Sequence, residues 1–429
     1  MPRVPKVPGV PEVPGVPKVR DVPRVLVVGA GAAGLMAAIF AARAGAAVEV
    51  VERTSDGGRK ILISGGGRCN VLPSALAPDR FVSDSPAHLV RRFLRAWPLH
   101  EQREFFETDA GIPLKLEADT GKLFPVSDRA RDVRDALVSL AVDAGARFSF
   151  GTSLERLEAR DAGWRAGTSR GPMDADAVVL ATGGLSVPKT GSDGAGLDMA
   201  RTLGHVVVDP YPALTPLVAD PPAHAALAGV SLAVRLRAKH DGRTTDAHGG
   251  FLFTHRGYSG PTVLDLSHIA VRSRRAGGAP ASLRVQWAEV TPEMWARDLA
   301  EARGLVLSAV QDRLPQRLAT WLVAESGIPP DRRAVELRRE ERLALIDRLT
   351  SYELPWTGDE GFAKAEVTGG GVRLDEVDPR TLESRRAPGL FLCGEILDAF
   401  GPIGGHNFAW VWATGRAAGL GAAGGSLRS

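Results

Sequence analysis

Two glycine-rich stretches hold the residue types and spacings that could do chemistry. The first is GAGAAG, residues 29–34, which places Gly29, Gly31 and Gly34 in the G-x-G-x-x-G spacing around Ala32 and Ala33. A turn of this kind at the start of a helix lets phosphate oxygens reach bare backbone N–H groups at the positive end of the helix dipole. The second is SGGGRCN, residues 64–70, with Ser64, Gly65, Arg68, Cys69 and Asn70. Clustered glycine N–H groups form anion-binding nests. Cys69 reads either as a lone acid in the site or as a small packing residue behind the turn. It has no CxxC partner, and the other cysteine, Cys393, falls in a predicted buried strand, which argues against a disulfide-reductase cycle. His406 stands at a predicted helix start and reads as a proton donor or as a cap. His255, Tyr258 and Ser259 in THRGYSGP read as proton donors or as turn residues. The nine histidines are scattered, and no metal-ligand spacing appears.

The elements around GAGAAG fit a dinucleotide site. RVLVV (24–28) predicts a buried parallel strand, residues 32–44 a helix stopped by Gly45, and AVEVVE (47–52) a second strand ending in Glu52. Glu52 lies 18 residues after Gly34, where a carboxylate accepts from ribose hydroxyls and repels a 2′-phosphate. The segment 53–70 continues as a glycine-rich loop with Arg53, Arg59, Lys60, Arg68 and Asn70. That suits a second pass along an extended dinucleotide, FAD rather than NAD. AVVLATGG (177–184) adds a strand ending in Ala181, Thr182, Gly183 and Gly184, where the chain returns to the cofactor. Lys189 follows as a further candidate contact. The stretch 389–419 predicts a strand (390–393), Gly394, Glu395 and Asp398 in a turn, then a helix opened by Gly404 and Gly405 and carrying His406, Asn407 and Phe408. Its N-terminus would face the flavin edge that gathers charge on reduction.

Composition narrows the field. The chain has 429 residues, 53 basic and 50 acidic, a net charge of +3 that does not by itself argue nucleic-acid binding. Two cysteines in this length fit a reducing compartment. Residues 1–23 form a Val-Pro repeat that reads as an extended disordered tail, without the apolar core of a signal peptide. Val25–Ala42 is 18 apolar or glycine residues, the lower bound for a membrane span, but its glycines favour a buried strand followed by a buried helix. A cytoplasmic protein without a membrane span is the expectation.

From 212 to 368 the pattern changes. PALTPL (212–217), 230–238, 250–255 and 281–290 predict antiparallel strands, and 291–351 predicts helices. The helical part carries ten Arg against nine acidic residues between Arg297 and Arg348, a mixed-charge solvated face. No second G-x-G-x-x-G precedes a helix, so a nicotinamide donor would dock at the flavin or in this insert.

Together these motifs resemble the BaiN-like, or aminoacetone-oxidase-type, FAD-binding flavoproteins. The resemblance covers Arg24 to about Gly419 and rests on GAGAAG, GRKILISGGGRCN (58–70), TGKLFPVSDRARDV (120–133), ATGGLSVPKTGSDGAG (181–196), GFLFTHRGYSGPTVLDLS (250–267), AEVTGGGV (365–372) and GEILDAFGPIGGHNFAWVWATG (394–415). Where the family usually reads Gly-Gly-Tyr-Asn, this chain has Gly404-Gly405-His406-Asn407. The resemblance implies an α/β fold: a Rossmann-like two-dinucleotide-binding FAD domain (24–211 and 369–429) with an inserted substrate domain (212–368). The insert is expected to be a β-barrel over 212–290 and 352–368, with helices over 291–351. It also implies an FAD-dependent oxidoreductase that uses NAD(P)H to deliver hydride to an activated C=C bond of a small molecule. Family members include a bile-acid double-bond reductase and a synthase of dihydrouridine in ribosomal RNA. An amine or aminoketone oxidase using O2, or an RNA-modifying ribosomal RNA dihydrouridine synthase whose insert docks ribosomal RNA, are the alternatives.

Overall fold

The computed structural model describes residues 22–424. The Val-Pro tail expected over 1–23 lies, but for its last two residues, outside that range. A five-stranded parallel sheet forms the centre of the first domain. Its strands are β1 (Arg24–Val28), β2 (Ala47–Glu52), β3 (Arg147–Phe150), β4 (Ala177–Leu180) and β5 (Leu390–Leu392), in the spatial order β5-β4-β1-β2-β3. Val25 to Val28 are all buried, as a run of β-branched and aliphatic residues covered on both faces should be. The chain leaves β1 through Gly29 into helix α1 (Ala32–Arg43), and Gly45, at φ +93°, ends that helix and turns the chain back into β2. The 18-residue apolar run therefore divides between β1 and α1. Among the described residues no helix is long and apolar enough to cross a membrane.

Helix α1 packs on the sheet beside the C-terminal helix (His406–Ala422), which itself touches β4 and β5. Small residues set how close the two helices come. A Cβ on Gly415 would stand 2.5 Å from the Ala33 carbonyl oxygen, and one on Gly419 2.3 Å from that of Ala37. Leu35, Met36 and Ile39 of α1 are fully buried, each worth about 1.5–3 kcal/mol of apolar transfer. A three-stranded sheet, Leu72–Pro73, Lys122–Pro125 and Leu114–Glu117, stands beside this core.

The strands Val207–Ala213 and Val367–Val372 pair antiparallel and carry the chain out to the insert and back. The insert is a seven-stranded antiparallel sheet in the order 352–353, 282–286, 231–240, 243–253, 257–259, 217–218, 358–359. Its two edge strands are joined by Leu354–Thr357. The N–H groups of Leu354 and Thr357 bond to Leu283 and Val218, which draws the sheet's ends together. Four helices, Pro292–Glu301, Val306–Gln311, Gln316–Glu325 and Arg339–Thr350, occupy the helical stretch. The strand expected over 250–255 begins earlier, at Arg243. Asp241 and Gly242, both at positive φ, close a tight hairpin with the strand Ser231–His240. The insert has its own core around Phe251, Phe253, Trp287 and Trp295. The longest insert helix, Pro261–Arg275, packs along this sheet and against Val207–Ala213.

Candidate active site

A cleft of about 840 Å³ opens at the carboxyl ends of β1, β2 and β4 and runs toward the insert. Ligands of open α/β sheets bind at such a crevice. Gly29, Gly31, Ala32 and Ala33 line it where α1 begins. Gly29 takes φ +101°, and a Cβ there would stand 2.6 Å from the Ala181 carbonyl oxygen. Gly34 does not line the cleft. A Cβ on it would fall 1.8 Å from the Gly29 carbonyl oxygen, so its role is the close packing of helix on strand. Gly31 has nothing within 4 Å of its Cβ position, and no side chain caps α1. The first-turn N–H groups are left for something outside the chain.

Glu52 lines the cleft, but the protein also employs it fully. One carboxylate oxygen accepts from the Ala30 N–H at 2.8 Å. The other accepts from the Thr54 N–H at 2.8 Å and the Thr54 hydroxyl at 2.7 Å. Arg53, also on the cleft, is ion-paired with Asp193. Ala181, Thr182 and Gly183 line the opposite wall. Gly184 does not: its Cβ position is 2.4 Å from the Thr368 hydroxyl oxygen, which makes it a packing glycine. Lys189 lies exposed and outside the cleft.

SGGGRCN follows a short helix, Arg59–Ile63, as a turn whose Gly65, Gly66 and Gly67 all have positive φ. Ser64, Gly65 and Asn70 line the cleft. With its amide oriented to satisfy both neighbours, Asn70 accepts from the Gly405 N–H at 2.9 Å and donates to the Leu72 carbonyl at 3.1 Å. It thereby fastens this turn to the start of the C-terminal helix. Arg68 departs from expectation. Its guanidinium lies 4.0 Å over the Phe124 ring and pairs with Glu117 at 3.1 Å, outside the cleft. Cys69 departs too. It is fully buried behind the turn, donates its N–H to the Ser64 carbonyl at 3.0 Å, and does not line the cleft. Burial pushes its thiol up to about 12, so it is neither a ready nucleophile nor an accessible acid.

The cleft's far end holds a polar network. The Lys60 ammonium donates to Glu395 at 2.5 Å and to the Ser186 hydroxyl, which itself bonds to Glu395. Glu395 also accepts from the Thr368 N–H at 3.0 Å and hydroxyl at 2.8 Å, and Thr368 in turn accepts from the N–H groups of Leu185 and Ser186. Gly405, Asn407 and Phe408 line the same end. Asn407 holds the turn before the helix by bonding Gly401 through both N–H and C=O, and Phe408 stacks on Trp412 at 5.1 Å.

Three further expectations about this segment are corrected. Gly394 does not line the cleft; its N–H donates to the Thr414 hydroxyl, and a Cβ there would crowd Ala33. Asp398 is turned to the Ser83–Ser85 loop, accepting from the Ser83 and Ser85 hydroxyls and the Asp84 N–H, and burial raises its carboxyl to about 6. His406 is buried beside Phe81, away from the cleft lining. Neither of its ring nitrogens finds a well-oriented hydrogen-bond partner, and burial pulls the imidazole down to about 4, so it is neutral near pH 7.

The insert candidates also fall elsewhere. Tyr258 is fully buried in the strand Gly257–Ser259, with its hydroxyl 2.8 Å from His224 Nδ1, while His224 Nε2 meets the Tyr352 hydroxyl at 3.0 Å. His255 is exposed in the preceding turn, and neither it, Tyr258 nor Ser259 lines the cleft. What reaches the cleft instead is Lys122, from the strand Lys122–Pro125, and Glu366, at the entry to Val367–Val372. Ile403 lines it as well, its N–H bonded at 2.7 Å to Asp265 of the Pro261–Arg275 helix, which also pairs with Arg80 at 2.8 Å. Both Lys122 and Glu366 stand in motifs that the sequence singled out without giving either residue a role.

These residues fit FAD. The uncapped start of α1 and the open space at Gly31 suit a pyrophosphate, and the cleft is long enough to continue past SGGG to the Lys60–Glu395 network. When bound, FAD supplies a two-electron carrier that can pass hydride.

The family model of the HI0933-like protein Rossmann domain matches residues 23–421. A 3-dehydro-bile acid delta(4,6)-reductase of Clostridium scindens is 35% identical over 413 residues, covering 92% of this chain and 98% of that protein. A ribosomal RNA dihydrouridine synthase of Escherichia coli is 31% identical over 396 residues, covering 91% and 95%. Among solved structures, a 3-ketosteroid-delta4-(5alpha)-dehydrogenase of Rhodococcus jostii shares the fold with a TM-score of 0.50 at 17% identity, covering 95% of this chain and 98% of that one. With the cleft's cradle and the match running through both domains, the chain belongs to the HI0933-like flavoproteins and is an FAD-dependent oxidoreductase.

Proposed function

We propose that this protein is an NAD(P)H-dependent reductase that delivers hydride from reduced FAD to a C=C bond conjugated with a carbonyl group. The observation that carries the reading is the meeting of the FAD cleft with a cation and a carboxyl, Lys122 and Glu366, that have no side-chain partner among the described residues, at the end nearest the insert. The relatives support it. Their names describe reduction of a 3-dehydro-bile acid and formation of dihydrouridine, and both chemistries saturate a C=C bond conjugated with a carbonyl. In this reading the N–H groups of Ala32 and Ala33 hold the pyrophosphate, Glu52 faces the ribose, and Lys60, Ser64, Gly65 and Asn407 border the flavin.

A small molecule is favoured over RNA by the state of the insert's arginines. Arg338 and Arg332 meet Glu341 at 2.6 and 3.6 Å, Arg313 meets Asp298 at 3.1 Å, and Arg317 bonds the carbonyls of Ala226 and Ala228. Cations already paired in this way have less to offer a phosphate backbone. The test is anaerobic mixing of the FAD-loaded protein with NADH and with NADPH. Bleaching of the flavin absorbance by one of them, followed by its return on adding an enone, with no bleaching of the oxidised protein by an amine, is the expected result. No bleaching by either nucleotide would sink the reading.

A further inference from the structure

Glu366 and Lys122 are 244 positions apart in sequence and line one end of the same cleft. Each lacks a side-chain partner among the described residues, whereas the other charged pair at this end, Lys60 and Glu395, is locked together at 2.5 Å. Lys122 and Glu366 do not pair with each other within 4 Å, and both line the cleft. The frame holding them is rigid. Lys122 stands on a strand bonded to both its neighbours, and its chain atoms lie beside Gly404. The Glu366 N–H is bonded to the Leu214 carbonyl at 3.1 Å, at the neck of the insert. Glu366 is exposed, and solvent reaches its side chain through the cleft. The protein atoms packed around the carboxyl raise it; Lys122 and Lys60 pull it down, and Asp265 raises it further.

We propose that Glu366 supplies the proton, and Lys122 the charge facing the carbonyl oxygen, for reduction of an α,β-unsaturated carbonyl substrate. The proposal rests on the reductase reading above. The step balances. Hydride, carrying two electrons, forms a C–H bond at the β-carbon, and the C=C π pair shifts toward the carbonyl, where the Lys122 ammonium stabilises the negative charge. The Glu366 O–H then breaks as its proton forms the second C–H bond at the α-carbon. The carboxylate takes a proton back from solvent through the open cleft, and a nicotinamide-class donor restores the electrons to the cofactor. A positioned acid of this kind contributes roughly 10²–10⁴-fold.

The test uses the FAD-loaded full chain, its Glu366→Gln and Lys122→Met variants, and two readouts. The first is the infrared carboxyl band followed across a pH titration, compared between wild type and Glu366→Gln. A wild-type component that titrates above the ordinary carboxylate range and is lost in Glu366→Gln is expected; identical titrations in the two proteins overturn the proposal, whatever the enzyme reduces. The second is anaerobic reoxidation of the photoreduced flavin by 2-cyclohexen-1-one and by ferricyanide. Ferricyanide takes electrons without forming a C–H bond. Glu366→Gln should slow the enone reaction at least 100-fold and Lys122→Met at least tenfold, with equal FAD content and equal ferricyanide rates. Equal enone rates in wild type and Glu366→Gln overturn the proposal. A wild type that reacts with ferricyanide but with no enone overturns the reductase reading, and the infrared band then judges Glu366 independently.

Discussion

Replacing Glu52 by alanine separates two jobs that one carboxylate performs. The sequence assigns Glu52 to a ribose; the structure adds three bonds to the protein, from the Ala30 N–H, the Thr54 N–H and the Thr54 hydroxyl. Hydrogen bonds to a charged group are each worth about 1.5–3 kcal/mol, and a buried donor left unpaired costs about 1–3 kcal/mol. Ala30 is fully buried, so its N–H has no recourse to water, whereas the half-buried Thr54 can rehydrate. A net cost of about 2–4 kcal/mol follows, because the three bonds share one anion and do not add. If the loop relaxes in the free protein, FAD must reassemble it, and binding weakens by roughly 30- to 700-fold at about 1.4 kcal/mol per decade. If it does not relax, the same cost appears as a lower melting temperature of the cofactor-free protein. Glutamine is no rescue, since its single carbonyl oxygen serves one side and its NH2 meets an N–H donor on the other. FAD titration by fluorescence quenching and thermal melts of the cofactor-free chain measure both arms. An unchanged melt together with FAD affinity within threefold of wild type would refute the reasoning.

Other substitutions test other parts of the frame. Both cysteines are buried, and burial raises both thiols, Cys69 to about 12. A chromogenic disulfide reagent at pH 8 should label neither in the native protein and both after denaturation, and Cys69→Ser should keep bound FAD and most turnover; rapid native labelling would contradict the buried placement. Gly34→Ala puts a methyl group 1.8 Å from the Gly29 carbonyl oxygen, an overpacking of about 1–3 kcal/mol or more that should lower the FAD-to-protein absorbance ratio and the melting temperature. Asp398 has a raised folded value of about 6 against an ordinary 3.8, so the folded state binds the extra proton. Its stabilising contribution is complete below about pH 4 and lost as pH rises through 6. Asp398→Asn keeps an acceptor for the Ser83–Ser85 loop and should flatten that part of the denaturation profile; an unchanged slope between pH 4 and 6 would argue against the assignment.

The parts legible in sequence were the local ones. β1, α1 and β2 could be drawn from the buried β-branched run, the glycine spacing and the Gly45 stop, because each signal lies within a few residues of the element it shapes. What a side chain does at long range was not legible. Arg68 follows three glycines and suits a phosphate, but the strand Lys122–Pro125 brings Phe124 beneath its guanidinium. Tyr258 sits in a motif rich in turn residues, yet strand pairing with Leu217 turns it into the insert's core, where His224 satisfies it. The polar run Arg243–His248 hid the first part of the strand that ends at Phe253, because that edge of the sheet faces solvent. Lys122 and Glu366 carried no local signal beyond membership of two motifs. Their shared cleft exists only once the insert has been threaded out and back.

That threading explains why the insert leaves the core where it does. The returning strand Val367–Val372 is buried along its whole length and bonds or packs against several segments at the cleft's far end. Glu366 precedes it in the cleft. Thr368 ties Leu185 and Ser186 after ATGG to Glu395 after β5, and with them the Lys60 ammonium. Gly371 then passes so close to Ile396 that a Cβ would meet its carbonyl oxygen at 2.6 Å. From the other side, Asp265 of the insert helix holds the Ile403 N–H in the loop that starts the C-terminal helix. An insert joined at a distant loop could have formed a pocket but would have shared none of these bonds. Joined here, any shift of the insert relative to the sheet must break Thr368–Glu395 or Asp265–Ile403, bonds to carboxylates of the kind worth about 1.5–3 kcal/mol each. The position of the insert beside the cleft is therefore set by the same few hydrogen bonds that organise the cleft's far end.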